Sequence, residues 1–279
     1  MGKCDLCGQD AGMLRKRHKE CESRHNEGIA SIIAVARDAA LGKSSVDTLP
    51  DQAKHISDGA FISQDSVMGL YATGFERAVQ SVLEDGVLSE QEEAQLGAFI
   101  KAFPLGQKEL DASGAYTTMV KASLIREVLE GKLPERINIS GDLPFNFQKG
   151  EKLIWLFQDV DYAEQRTTTR YQGSYQGVSL RVAKGVYYRT GAFRGNPIPV
   201  TATLAVDTGA LAVTQKHIYF AGPSKSFRIA YAKMVAITPF SDGIGVQRDA
   251  ASAKPQMFTT GDGWFTYNLV SNLAKAAAA

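Results

Sequence analysis

Cys4 and Cys7, two residues apart and followed by Gly8, and then His18, Cys21 and His25, are the residues whose types and spacing point most directly to chemistry. All three cysteines of the chain and two of its four histidines fall in this opening stretch. Thiolates and imidazoles together are soft metal ligands. A Cys-x-x-Cys pair can grip one ion from a tight turn whose backbone Gly8 permits. The second pair is open to two readings. His18-x-x-Cys21 places ligands at i, i+3 of a helix and Cys21-x-x-x-His25 at i, i+4, and both spacings put the two groups on one helical face. Cys4, Cys7, His18 and Cys21 form the preferred set, because His18 and Cys21 fall at the start of the helix; His25 is the alternative to His18. The expected cofactor is a structural zinc ion. Four protein ligands close such a site and leave no position for a reacting water, so it folds the chain rather than catalyses.

Little else in the chain carries catalytic chemistry. There is no Gly-x-Ser-x-Gly elbow, no His-Glu-x-x-His, no phosphate loop and no dinucleotide fingerprint. With the zinc ligands set aside, no cysteine remains as a nucleophile. The chain of 279 residues is 44% hydrophobic and 22% charged, a globular mixture, with a net charge of +1 that gives no overall attraction to nucleic acid or an anionic membrane. The basic run Arg15-Lys16-Arg17-His18-Lys19 is nearly cancelled by Asp5, Asp10, Glu20, Glu22 and Glu27, and reads as a solvated face before a nucleic-acid surface. No apolar run approaches the ~18 residues of a membrane span. The start Met-Gly-Lys-Cys has no apolar leader, and Leu6 stands where myristoylation wants Ser or Thr. Clustered thiols in such a chain predict metal ligands in a reducing, cytoplasmic setting, not disulfides.

The elements that must position these residues divide into an α+β arrangement of three parts. Residues 1–27 form the zinc knuckle and 28–136 a helical region. Ile29, Ile32, Ile33, Ala36 and Ala40 recur at helical spacing, with Gly42 as the stop. Val67, Leu70, Tyr71, Gly74, Phe75, Ala78, Val79, Val82 and Leu83 trace the clearest stripe, ending at Asp85-Gly86. Ser89-x-x-Glu92 is a capping box for a helix that buries Leu96, Phe99, Ile100 and Phe103, and a last helix carries Tyr116, Met119, Val120, Leu124 and Val128. Asp58-Gly59 and Asp85-Gly86 each predict a turn ahead of a helix. The segment Leu83-Glu-Asp-Gly-Val-Leu-Ser-Glu-Gln-Glu-Glu93 resembles the helix-connecting turn of the TerB-like (tellurite-resistance) family, which implies an all-helical fold. An EF-hand's ligand spacing is absent; a turn plus a cap accounts for Asp85 and its neighbours better than a divalent cation does.

From about residue 140 to 276 the pattern becomes alternating and β-branched. Expected strands are Lys152–Phe157, Asp159–Tyr171, Gly177–Tyr188, Ala202–Val206, Ala210–Thr214, His217–Phe220, Ser226–Ala230, Met234–Phe240 and Ile244–Arg248, with turns at Asp207-Thr-Gly209 and Asp242-Gly243. A closing helix runs from Trp264, opened by Asp262 or Gly263. Gly209 to Phe220 followed by Ser226 to Ile237 resembles the bacterial pleckstrin-homology (PH) and GRAM-like domains, which implies a small antiparallel barrel with a closing helix. That fold is a scaffold for proteins, peptides or lipids and names no ligand. Lys184, Arg189 and Arg194 around one turn, and Lys216, Lys225 and Arg228 around another, read as surface charges before an anion pocket. His217 is expected at the surface. Together the sequence predicts a non-enzymatic adaptor with a protein or peptide partner. Lipid headgroups met by the β domain, and nucleic acid met by Arg15 to Lys19, are the alternatives. The company of such modules resembles that of stress-response or phage-defence proteins.

Overall fold

A computed structural model describes residues 2–12, 15–84, 88–134, 142–183, 186–250 and 253–278, with backbone alone for 166–201 and 278. The chain forms two compact units, Met1–Glu130 and Gly131–Ala279.

The first unit begins with a short ladder, β1 (Gly2–Lys3) against β2 (Asp10–Gly12). Helix α1 (Lys19–Ala40) follows, then α2 (Leu49–Ala60), α3 (Gln64–Val82), α4 (Glu90–Ala102), the single turn α5 (Gln107–Leu110) and α6 (Ala115–Leu129). The apolar stripe read from Val67 to Val82 faces inward. Phe75 stacks on Phe99 at 6.0 Å, and Tyr71 meets Phe103 edge-on at 4.8 Å. Two glycines let helices approach more closely than any side chain would allow. A Cβ on Gly74 of α3 would lie 2.6 Å from Ala36 Cβ of α1, and one on Gly28 of α1 would lie 2.2 Å from Ala60 Cβ of α2. The capping box forms as its spacing predicts: Ser89 Oγ accepts from the Glu92 amide, and the Ser89 amide donates to Glu92 Oε2. Arg126 of α6 pairs with Glu93 of α4, an ion pair largely out of solvent. Asp58-Gly59 is not a turn: both residues belong to α2, and the helix is stopped by Phe61 in the left-handed region at φ 57°. Asp85-Gly86 and the cation reading of Asp85 lie outside the described residues.

The second unit is a seven-stranded antiparallel sheet: β3 (Leu153–Ala183), β4 (Val186–Thr214), β5 (His217–Ala221), β6 (Ser226–Ala230), β7 (Met234–Pro239), β8 (Gly243–Arg248) and β9 (Gln256–Thr259). Its order is β6-β5-β4-β3-β9-β8-β7, and helix α7 (Gly263–Ala278) closes the unit against β7 and β8. The expected closed barrel is corrected: β6 and β7 stand at opposite ends of the sheet and do not pair. The linking turn Tyr231–Lys233 explains why. Tyr231 is buried, its amide donates to the Lys216 carbonyl and its hydroxyl to the Thr214 carbonyl at 2.7 Å. Pinned to the end of β4, the chain leaves β6 and starts β7 without forming a ladder between them.

The strand reading also needs correction. Leu153–Phe157 and Asp159–Tyr171 are parts of one 31-residue strand, Ala202–Val206 and Ala210–Thr214 parts of one of 29 residues, and the expected strand Gly177–Tyr188 is divided between the end of the first and the start of the second. Asp159, at φ 52°, lies in an irregularity between Phe157 and Val160 rather than at a strand end. Asp207-Thr-Gly209 is likewise not a reversal. Asp207 Oδ2 accepts from the Ser224 and Lys225 amides at 2.8 and 2.7 Å, anchoring the turn between β5 and β6. Gly209 is required because a Cβ there would meet the Ala221 carbonyl oxygen at 2.2 Å. The core gathers Tyr162, Phe220, Phe227 and Phe258, with ring centroids 5.0–5.3 Å from Tyr162.

Candidate metal centre

The ladder β1–β2 and the start of α1 carry the four ligand candidates. Cys4 and Cys7 flank the turn between the strands, which Gly8 completes at φ 74° with its amide on the Cys4 carbonyl. His18 is the residue just before α1, and Cys21 lies in its first turn. The Asp5 amide donates to the Lys16 carbonyl and holds the turn against the approach to the helix. One ligand atom each from Cys4, Cys7, His18 and Cys21 lies within 4.8 Å of every other.

The donor set fits a tetrahedral metal ion. Ligand bonds of about 2.0 Å to nitrogen and 2.3 Å to sulfur imply sulfur–nitrogen edges of about 3.5 Å. His18 Nδ1 lies 3.4 Å from Cys7 Sγ and 3.7 Å from Cys21 Sγ. The other ring nitrogen, Nε2, lies 2.9 Å from the Asp10 carbonyl oxygen. As an N–H it donates there, which fixes the ring and leaves Nδ1 free to ligate, the usual outer-shell arrangement of a metal-bound histidine. His25 is engaged elsewhere, with Nδ1 3.0 Å from the Ala60 carbonyl oxygen.

The proton affinities are divided across the cluster. The Cys7 backbone amide, with smaller help from those of His18 and Leu6, lowers the Cys4 thiol to about 6 against the effect of its burial. Burial first, and then the Cys7 and Cys4 sulfurs, push Cys21 up to about 11. The Asp10 carbonyl and then the Cys7 sulfur raise His18. A divalent cation held by these groups would take the place of their protons and release them. Cys7, His18 and Cys21 also line an open cleft of about 750 Å³ with Arg15, Lys19 and Arg24. Arg17 of the basic run reaches Asp5 at 4.0 Å, an exposed and weak pair.

Two features of the second unit escape the sequence reading. His217, expected at the surface, is buried: its Nδ1 pairs with Glu151, whose side chain is fully out of solvent, and the Tyr219 hydroxyl donates to the other carboxylate oxygen. Nothing local marks this, because Glu151 stands 66 residues before His217. Burial alone would raise the Glu151 carboxyl, but Tyr219 and His217 together hold it below its ordinary range. The second feature is a groove of about 470 Å³ between the edge strand β7 and α7, lined by Tyr231, Met234, Val235, Ile237, Tyr267 and Ser271. Val235 is 65% exposed, and the buried Ser271 hydroxyl has no hydrogen-bond partner among the described residues. The sequence predicts a strand at Met234–Phe240 but not the groove, which needs α7 brought alongside. Lys184 and the side chains of Arg189 and Arg194 lie outside the described residues, while Lys216, Lys225 and Arg228 lie on or beside β5 and β6.

No protein-family model matches the chain, and no curated protein matches it. Among the described residues no helix is long and apolar enough to cross a membrane.

Proposed function

We propose that this chain is a non-enzymatic adaptor in which a zinc clasp and a TerB-like helical unit accompany a PH/GRAM-like β unit that takes an extended peptide from a protein partner. The observation that carries this reading is the groove beside β7. An edge strand offers unpaired backbone donors and acceptors to an added strand, and pockets beside it read alternate side chains. The groove supports an apolar peptide flanked by an acid: Met234, Val235 and Ile237 supply apolar surface, and Lys275 stands at its rim. Pro239 at the end of β7 lacks an N–H and limits the added strand to the first part of the edge.

Zinc is the metal we assign to Cys4, Cys7, His18 and Cys21, because three thiolates and an imidazole in a closed tetrahedral set suit it. Bound there, the ion cross-links the turn after β1 to the start of α1. The four side chains supply all its ligands, so the role is that of a staple.

Panning a peptide-display library on the full metal-loaded chain tests the adaptor reading. Enrichment of extended apolar peptides whose binding is lost in Val235→Asp supports it. Absence of any enriched peptide, or binding that Val235→Asp leaves untouched, overturns it.

A further inference from the structure

The register of β3 and β4 places together a set of residues that no single stretch displays. Beyond Gln165, whose amide donates to the Pro255 carbonyl, the first strand ladders with the second alone, and before Ala210 the second ladders with the first alone, in the described sheet. The ribbon they form from Arg166 to Ala183 and back from Val186 to Ala202 extends on the order of 60 Å at the usual strand rise. Its composition differs from the rest of the chain. Between Gln165 and Thr203 there are six basic residues and no acidic one, so the remaining residues, in a chain of net +1, together carry −5. Five of the six are arginines. A two-stranded ribbon is marginal in water unless another surface covers it, and its charge repels itself. An anionic occupant relieves both.

The register also sorts the ribbon into two faces, since directly paired residues share one. Tyr171↔Pro197, Gly173↔Gly195, Tyr175↔Phe193, Gly177↔Gly191, Ser179↔Arg189 and Arg181↔Tyr187 are successive rungs of one face. Arg166, Arg170 and Arg194 stand on the other. The Tyr175↔Phe193 rung thus lies between two rungs made only of glycine, about 7 Å away on each side. Rungs without side chains leave the backbone surface open beside an aromatic pair, where a planar group can lie. Aromatic residues that stack bases, together with arginines that meet phosphates, are how sequence-tolerant single-strand binding is built. A lipid surface asks instead for a continuous apolar face, and here glycines and Arg181 and Arg189 interrupt the aromatic one.

We infer that the β3–β4 ribbon binds single-stranded nucleic acid, through bases on the Tyr175↔Phe193 face and phosphates on its arginines. This goes beyond the peptide groove and does not rest on it. The test is fluorescence anisotropy of the full metal-loaded chain with a labelled mixed-sequence single strand long enough to span the ribbon, beside the matching duplex and anionic phosphatidylglycerol vesicles. The single strand is expected to bind most tightly. Tyr175→Ala with Phe193→Ala weakens it by roughly five- to a hundredfold, the range for loss of base stacking. Arg181→Gln with Arg189→Gln, the arginines that share the face of Tyr175 and Phe193, weakens it as well and lowers the salt slope by about 0.7 per arginine removed. Replacing Arg15, Lys16 and Arg17 by Gln changes nothing. Unchanged melting temperature and zinc content in all variants exclude misfolding as the cause. Tighter binding to duplex or to vesicles, insensitivity to the Tyr175/Phe193 change, or loss on changing Arg15 to Arg17 each overturns the inference.

Discussion

The two units of this molecule hold themselves together in opposite ways. Met1–Glu130 has one contiguous apolar core, helices that cross at Gly28 and Gly74, and at its start a Cys/His cluster that could hold a metal ion. Gly131–Ala279 buries polar networks as well: Glu151 with His217 and Tyr219, and Tyr162 between Glu164 and Gln256. Tyr162, pushed up to about 12 chiefly by burial, stays a neutral donor to Glu164. The first unit spends its specificity on internal closure. The second leaves an edge strand, a groove and a long ribbon without partners in the described sheet, so the surfaces suited to other molecules gather there.

That contrast is broken most severely at the metal cluster. For closed sites of this kind the binding free energy, on the order of 10 kcal/mol or more, is also folding free energy. Chelation, or Cys7→Ser, is expected to abolish amide protection before α1 while the core around Phe75 and Phe99 keeps its protection. Hydrogen exchange reads both at once; equal protection with and without metal would remove the clasp from the account.

How much of this was legible follows the same division. The stripe from Val67 to Val82 and the Ser89–Glu92 box were readable because helical contacts are local: the partner of each residue is three or four positions away. The Cys4–Cys21 cluster was readable because each of its two ligand pairs has a local spacing, although Cys7 and His18, 11 residues apart, are brought together only by the turn after β1 and the start of α1. In the β unit the deciding partners are remote. Asp207 and Gly209 have the types of turn residues, yet one caps a neighbouring turn and the other admits the Ala221 carbonyl. His217 looked exposed beside Lys216 because its partner, Glu151, is distant in sequence. Closure of the barrel failed at Tyr231, whose bond to the Thr214 carbonyl no periodicity reveals.

A smaller effect probes the polar network. Glu151→Gln removes the buried carboxylate shared by His217 and Tyr219 and is expected to cost about 1–3 kcal/mol of β-unit stability. The sign of its pH dependence follows from the lowered carboxyl. A depressed folded pKa gives stability that is fully present above the ordinary value of 4.5 and is lost as pH falls below it through the folded value. The wild-type β unit should therefore weaken on acidification below that point, and the variant should show a flatter profile in denaturant titrations. Parallel pH profiles would show that Glu151 contributes no linkage.

The helical unit gives a sharper contrast of sign. A Cβ added at Gly97 of α4 would meet open space, whereas one added at Gly74 would not. Gly97→Ala should stabilise by about 0.5–1 kcal/mol, as alanine does in a helix. Gly74→Ala should destabilise by about 1–3 kcal/mol, because α1 and α3 must separate. Thermal melts that move in the same direction for both would contradict the close crossing.

The division of labour itself is tested most directly by titrating one panned peptide into three proteins: wild type, Val235→Asp and Cys7→Ser. Affinity reduced at least about tenfold by Val235→Asp and unchanged by Cys7→Ser is the predicted result. Affinity lost in Cys7→Ser and retained in Val235→Asp would place the binding surface on the helical unit and contradict the account.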